Sequence, residues 1–185
     1  MLSPNFSPFP TIETERLLLR EVTVNDVAEM YFLRSSRIVT EHFNRAPDAS
    51  LEETKLKIDQ ILESQKKNEN VFWVIAFRSE PGKMIGNIGY WNIVNEHYRA
   101  EIGYLLNPDH WRKGIMKEAL IAVVDHGFNK IKLHSIEANI NPDNAASGYL
   151  LESCGFVKEA HHKENYYYDG VFYDSIIYSL INKKR

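Results

Sequence analysis

The sequence predicts an α/β fold, with a mixed, mostly antiparallel sheet of about seven strands flanked by about four helices. Short apolar runs bounded by turn residues recur along the chain, as expected for strands. Three of these runs, between residues 70 and 106, are joined by short turns and predict an antiparallel meander. An amphipathic segment of helix length then separates the third strand from the next one, and a crossover of that kind joins parallel strands.

The chain before the meander contributes an arm, a strand and two helices. The predicted elements are an extended arm at 1–10, a strand at 16–22, and helices at 23–36 and 51–67. The arm is predicted from its three prolines, and the length of the remainder, 11–185, favours a single domain. The second helix is predicted to begin after Ser50, because Glu53 three residues later completes a capping-box signature.

The rest of the chain alternates strands and helices and ends in a hairpin. The predicted elements are strands at 70–79, 84–94 and 98–106, a helix ending near 128, a strand at 134–140, a helix at 145–154, and strands near 156–167 and 171–181. Asp143 or Asn144 is expected to cap the short helix, which Gly155 ends. The pair Asp169 and Gly170 predicts the turn of the last hairpin.

Composition excludes several classes of protein. The formal net charge of -3 argues against a strong nonspecific grip on nucleic acid. Cys154 is the one cysteine, which excludes an internal disulfide and fits a reducing compartment. The N-terminus lacks the features of a signal peptide, and no apolar run is long enough to cross a membrane, so a cytoplasmic location is expected. His161 and His162 have no matching metal-ligand spacing, and no metal is expected.

Cations gather where the helix after the meander begins. Arg112, Lys113 and Lys117 surround Gly114, just before the amphipathic run. A helix N-terminus presents unpaired backbone N–H groups and a positive dipole end, and a glycine lets a ligand approach that backbone. This turn therefore suits a phosphate group, although a helix that begins with a solvated basic first turn would have the same sequence.

Three stretches carry a resemblance to a known family. They are ETERLLLREVTVNDVAEM (13–30), AEIGYLLNPDHWRKGIMKEAL (100–120) and NPDNAASGYLLESCGF (141–156). Together they resemble the GCN5-related N-acetyltransferase (GNAT) superfamily, and more narrowly its ribosomal-protein N-terminal acetyltransferase branch (RimJ/RimL-like). The resemblance extends from about Thr11 to Leu180 and implies the GNAT fold, in which two parallel strands splay apart.

The resemblance implies a binding site for acetyl-CoA between the strand ending at Leu106 and the strand ending near Ile140. The residues it assigns to the pantetheine arm are Tyr104, Leu105 and Leu106. The residues it assigns to the pyrophosphate are Arg112, Lys113, Gly114, Ile115, Met116 and Lys117. Asn144 matches a family asparagine that bonds the cofactor, although it is also placed to cap the helix.

Two positions depart from the family pattern. The turn is usually written Q/R-x-x-G-x-G/A, whereas Trp111 and Met116 stand in its first and last places here. We expect the Met116 side chain to point away from the ligand. The second departure is Leu151, where many members carry a tyrosine that protonates the leaving thiolate. Leucine cannot donate a proton, so an acid, where one acts, has to come from another residue.

The catalytic candidates follow from the needs of acyl transfer. Ser147, where relatives of this branch carry a serine proposed as the acid, is the first candidate, and Tyr149 is the second. Ser147 could instead bond its own helix backbone. Glu101 is the candidate base, acting through a water chain, or else a charge at the rim of the cleft that attracts a cationic acceptor. A backbone N–H near Tyr104 or Leu105 would hold the oxyanion.

The expected function is acetyl transfer from acetyl-CoA to a primary amine by direct attack in a ternary complex. The expected acceptor is the α-amine of a protein or peptide, such as a ribosomal protein. The alternatives are a small-molecule amine, such as a polyamine or an antibiotic, and a CoA-binding module without turnover. No partner nucleic acid or membrane is expected, and exposed aromatic residues near the last hairpin allow a homodimer.

Overall fold

The computed structural model describes residues 1–43 and 45–183. The strands are β1 (Ile12–Glu13), β2 (Leu17–Glu21), β3 (Val71–Phe77), β4 (Gly86–Val94), β5 (Arg99–Leu106), β6 (Ser135–Ile140), β7 (Val157–Tyr168) and β8 (Val171–Ile181). The α-helices of the described residues are α1 (Val27–Ser35), α2 (Arg37–Thr40), α3 (Leu51–Lys66), α4 (Ile115–His126) and α5 (Ala145–Ser153). The predicted fold class is confirmed, and the two-residue strand β1 and the one-turn helix α2 add to the predicted elements.

The eight strands form one sheet in the order β1-β2-β3-β4-β5-β6-β8-β7. Every neighbouring pair is antiparallel except β5 and β6, which are parallel, as the helical crossover predicted. Apolar residues on one face of the sheet pack against α4 and Leu151 of α5. The other face is covered over β3 by α1 and α3, through residues such as Met30, Ile58 and Val74. Within the described residues, no helix combines the length and apolar character that crossing a membrane requires.

The parallel pair is short, and the two strands then part. Their register runs from Arg99 beside Ser135 to Glu101 beside Glu137 and stops there. Strand β6 continues along β8 as far as Ile140, whereas the second half of β5 continues along β4 alone. The sheet therefore has an opening on the β6 side of residues 102–106 of β5. Within the described residues, no strand pairs with that edge of β5. This is the splay that the family resemblance implied.

The N-terminal arm lies against the core. Leu2 and Phe6 are buried among the residues of the α4 face, and the Leu2 N–H donates to the Asn95 carbonyl at 3.0 Å. The indole N–H of Trp73 in β3 donates to the Pro10 carbonyl at 2.7 Å, which fixes the end of the arm. The arm thus adds two apolar side chains to the core that its sequence alone did not place there.

Candidate active site

Along β5, the backbone N–H and C=O groups point alternately toward β4 and toward the opening. The Asn107 N–H donates to the Ile85 carbonyl at 2.9 Å, and the Leu105 carbonyl lies against Gly86, so this set of peptides faces β4. Because N–H and C=O directions alternate along a strand, the peptides of Tyr104 and Leu106 face the opening. Leu105 therefore does not present its backbone there, which corrects the expectation for that residue.

Trp111 takes up one of the groups that face the opening. Its indole N–H donates to the Leu106 carbonyl at 2.8 Å, which ties the turn after β5 back to the strand. Of the groups of Tyr104 and Leu106 that face the opening, the Tyr104 N–H and carbonyl and the Leu106 N–H thus remain for a ligand. Trp111 stands where the family pattern has a polar residue, so its bracing role was not predicted from the sequence.

The turn before α4 is built from two left-handed residues. Arg112 has φ +57° and Gly114 has φ +73°, a region that L side chains rarely adopt. The first bond of the helical ladder runs from the Glu118 N–H to the Gly114 carbonyl. The N–H groups of the three residues that open the helix precede that bond and have no partner in the ladder. Those residues are Ile115, Met116 and Lys117.

The side chains of this turn separate into two sets. Arg112, Lys113 and Lys117 are exposed, whereas Ile115 and Met116 are buried in the core of the α4 face. The expectation that Met116 points away from the turn surface agrees with this burial. Positive side chains and free N–H groups therefore share one surface, which favours an anion.

Arg16 braces the turn from the start of β2. Its Nη1 donates to the Lys113 carbonyl at 3.0 Å, and its Nε donates to Glu118 Oε2 at 2.6 Å. Thr14 donates to the other carboxylate oxygen of Glu118 at 2.5 Å. Burial favours the neutral acid, but the hydrogen bonds from Thr14 and Arg16 outweigh it and lower the pKa of Glu118. The sequence carried no signal for this brace, because its partners are far apart in the chain.

Tyr104 and Ser147 meet beside the opening. The Tyr104 side chain lies on the α5 face of β5, and its hydroxyl donates to Ser147 Oγ at 3.2 Å. Asn144 caps α5, with its Oδ1 accepting from the Ser147 N–H at 3.1 Å. Burial raises the pKa of Tyr104 to about 12; the hydrogen bond to Ser147 opposes that rise, and the nearby Cys154 adds to it. The structure thus pairs the predicted acid with a hydroxyl that sequence reasoning considered only for its backbone.

The sequence matches a known family profile, and the chain is similar to known proteins. The profile described as "Acetyltransferase (GNAT) domain" matches residues 16–157, most of the chain. This chain belongs to the GNAT acetyltransferase family. It is therefore an acetyl-CoA-dependent N-acetyltransferase, and the open β5 edge and the cationic turn fit the pantetheine and pyrophosphate of that co-substrate.

Relatives of this acetyltransferase include one uncharacterized protein and two that are named for different amine acceptors. The uncharacterized N-acetyltransferase YoaA of Bacillus subtilis is 34% identical over 95% of this chain and 99% of its own. The crystal structure of ribosomal-protein-S5-alanine acetyltransferase from Vibrio fischeri superposes with a TM-score of 0.82, at 29% identity, covering 95% of this chain and 98% of the other. Spermidine N(1)-acetyltransferase of Vibrio cholerae is 24% identical over 82% of this chain and 85% of its own.

Glu101 lies on the face of the acetyltransferase sheet opposite Tyr104. Its neighbours Ala100 and Ile102 are buried in the core of the α4 face, so alternation turns the Glu101 side chain the other way. Its Oε2 accepts from Asn92 Nδ2 at 2.7 Å. Glu137 is its neighbour in register on β6. Two glutamates are therefore neighbours in register on that face, at the point where the strands part.

The remaining candidates are separated from the Tyr104 and Ser147 pair. Tyr149 is 75% exposed, because two residues along a helix turn its side chain by about 200° from Ser147. Leu151 is fully buried in the core, so this acetyltransferase has an apolar contact at the family's tyrosine position. No cluster of three or more metal-ligating acidic, His or Cys side chains is found within residues 1–43 and 45–183.

Proposed function

We propose that this acetyltransferase transfers the acetyl group of acetyl-CoA directly to the α-amine of a protein or peptide, with both substrates bound together. The observation that carries the proposal is the opening beside β5, with a free Tyr104 peptide on its edge and Ser147 next to it. An open strand edge accepts an extended chain as a further strand would, and the pantetheine arm has that character. Tyr104 and Leu106 are the residues whose backbone would bind it.

The turn at 112–114 and the first turn of α4 would bind the pyrophosphate. Their free N–H groups would donate to phosphate oxygens, and the exposed cations of Arg112, Lys113 and Lys117 would offset the charge. Asn144 is the further cofactor residue of the resemblance. In this chain its Oδ1 caps α5, so its contribution is to hold Ser147 in place.

The acceptor would enter from the Glu101 face. An α-amine with a pKa of about 8 is partly neutral near pH 7, whereas a lysine amine with a pKa of about 10.4 is almost entirely charged. Glu101 would attract the cationic acceptor and take up its proton through water. The Tyr104 N–H would stabilise the oxyanion that forms when the amine attacks the thioester carbon.

Ser147 would assist the departing sulfur. A thiol with a pKa of about 8.5 is a fair leaving group, so a hydrogen bond to the thiolate is sufficient help. A hydrogen bond to a charged group accelerates such a step by about 10–10²-fold. Tyr149 would have no part in this step, because its exposed side chain turns away from Ser147.

A polyamine acceptor is the second candidate. The relative from Vibrio cholerae named spermidine N(1)-acetyltransferase favours it, and so do the paired carboxylates Glu101 and Glu137 on the acceptor face. The carboxylate of Glu137 is partly engaged already, since Arg99 lies 3.7 Å from it. A peptide with a single α-amine needs one of these charges, whereas a polyamine would use both.

The test is a panel of amines incubated with pure protein and acetyl-CoA. The panel contains an alanine-initiated peptide, the same peptide with a blocked N-terminus and an internal lysine, and spermidine. Release of free thiol and the mass of the product are followed. Acetylation of the free-terminus peptide alone supports the proposal. A preference for spermidine would instead support the polyamine acceptor, the second candidate. CoA binding by calorimetry without thiol release from any amine would leave a binding module.

A further inference from the structure

The hydroxyl groups of Tyr104 and Ser147 come from different elements and meet beside the opening. Tyr104 is on β5, Ser147 is in the first turn of α5, and the two oxygen atoms are 3.2 Å apart. Each hydroxyl can donate one hydrogen and accept others, so the direction of the bond decides which group keeps a free hydrogen. That choice matters, because the departing sulfur needs a donor and not an acceptor.

The chemistry of the two groups fixes the direction. A phenol is a stronger acid than an aliphatic alcohol and is therefore the better donor, whereas the serine oxygen is the better acceptor. Burial keeps the phenol protonated by raising the pKa of Tyr104 to about 12, so Tyr104 remains a donor throughout the physiological range. Ser147 then accepts from Tyr104, and its own hydrogen must point elsewhere.

The helix leaves Ser147 little other choice. A serine in a first turn often bonds a backbone carbonyl of its own helix. Within the described residues, however, the hydrogen bond of Ser147 Oγ is the one it forms with Tyr104. The backbone of Ser147 is held by the Asn144 cap at 3.1 Å, which fixes where the side chain begins. The free hydrogen of Ser147 is thus available to the opening beside β5.

We propose that Tyr104 is a positioning residue that acts through Ser147, holding the serine hydroxyl with its hydrogen directed toward the leaving sulfur. This inference rests on the proposed role of Ser147 in acetyl transfer. The role is one of orientation and differs from the proton donation that the family's tyrosine at position 151 performs.

The proton balance of the step agrees with a positioning role. When the carbon–sulfur bond breaks, its electron pair stays on sulfur and the carbonyl reforms. Neither hydroxyl gives up its proton, because a thiol of pKa about 8.5 is a stronger acid than a tyrosine of pKa about 12, and the serine alcohol is a weaker acid than either. The thiolate leaves with a hydrogen bond from Ser147, and the proton lost by the amine reaches it through solvent.

A double-mutant cycle tests the inference, with acetyl-CoA and the amine of the panel that gives the fastest turnover. Ser147→Ala and Tyr104→Phe each remove one oxygen and little volume. We expect Ser147→Ala to lower kcat about 10–10²-fold and Tyr104→Phe to lower it about 5–30-fold, with little change in the KM for acetyl-CoA. The double variant should be no slower than Ser147→Ala alone, because Tyr104 has no effect once its target is gone.

Tyr178→Phe is the matched control. Tyr178 also reaches α5 from a neighbouring strand, but its hydroxyl donates to Glu152 at 3.1 Å instead of Ser147. This variant loses the same atom near the same helix and should keep its kcat. Thermal midpoints of all four variants are compared, since a loss of kcat in Tyr104→Phe with an unchanged midpoint is not a folding defect.

The outcomes separate the inference from the function on which it rests. If Ser147→Ala is slow and Tyr104→Phe keeps full kcat, the inference is wrong and the role of Ser147 stands. If the two losses multiply in the double variant, Tyr104 acts independently of Ser147 and the inference is also wrong. If Ser147→Ala keeps full kcat, the proposed role of Ser147 is wrong and the inference falls with it, while acetyl transfer itself stands. If wild-type protein turns over no amine, the proposed function fails and takes the inference with it.

Discussion

Arg16 and Glu118 join the start of β2 to the first turn of α4 through a 2.6 Å contact between Nε and Oε2. The same guanidinium donates to the Lys113 carbonyl, so one side chain fixes both the helix and the turn before it. The N–H groups of that turn can hold an anion only if their directions are set in advance. We therefore expect Arg16 to support cofactor binding without contacting the cofactor.

We predict that Arg16→Gln weakens acetyl-CoA binding while leaving the fold intact. The KM for acetyl-CoA should rise about threefold to tenfold, the cost of about one ordinary hydrogen bond in the turn. Because Arg16 is partly exposed, the free energy of unfolding should fall by less than about 1 kcal/mol. Lys67→Gln, which breaks an exposed pair with Glu63 on α3, is the control and should leave KM unchanged.

Gly114 tests the turn itself. Its φ of +73° strains a β-branched residue, although a Cβ built there meets nothing closer than Arg16 Nη2 at 3.5 Å. Gly114→Val should therefore lose about 1–2 kcal/mol of stability as well as affinity for acetyl-CoA. Gly114→Asn tolerates this conformation better and should fold well. If calorimetry finds that the Asn variant binds acetyl-CoA like wild type, backbone strain alone explains the Val variant and the pyrophosphate assignment loses its support.

The contact between Trp91 and Gly103 allows a test of the face from which the acceptor is proposed to enter. The Trp91 ring lies over Gly103, so that an added Cβ would clash with the ring and force it to move. Gly103→Ala should raise the KM for the amine acceptor severalfold and leave the KM for acetyl-CoA unchanged. In a Trp91→Ala background the added methyl group has no ring to displace, and it should cost little. A rise in both KM values would mean that the two sides of the sheet are not independent.

Alkaline pH should reveal the burial of Tyr104. Its pKa is about 12 in the folded chain and about 10 when unfolded, so folding favours the neutral phenol. The resulting stability is fully present below pH 10 and is lost as pH rises toward 12. Chemical unfolding of wild type and Tyr104→Phe across this window should therefore show a steeper loss for wild type. Parallel losses would mean that the phenol is solvated in the folded protein.

Sequence patterns predicted those parts of the structure that depend on neighbours in the chain. Apolar periodicity, the Asn144 cap and the Asp169-Gly170 turn are local signals, and the corresponding elements are present. The Ser50 cap was predicted in part, because Ser50 accepts from the Glu53 N–H but the Glu53 carboxylate reaches Ala49.

The supports of the site could not be predicted in this way. Tyr104 and Ser147 are 43 positions apart, and Arg16 and Glu118 are 102 positions apart. No spacing rule links such pairs, because only the sheet order brings them together. The direction of the Leu105 peptide likewise depends on which β4 residue it faces.

Because β5 and β6 part, the sheet separates two faces of the protein but leaves a gap between these two strands. Tyr104 and Ser147 lie on one side of the sheet, and Glu101 lies on the other. With the thioester on the first side and the amine on the second, either molecule could be exchanged while the other stays bound. Under the proposed function, an acceptor would pass its amine through the gap between β5 and β6 to reach the thioester. A slender, unbranched end such as a chain terminus would meet that requirement, whereas an amine set within a broad surface would not.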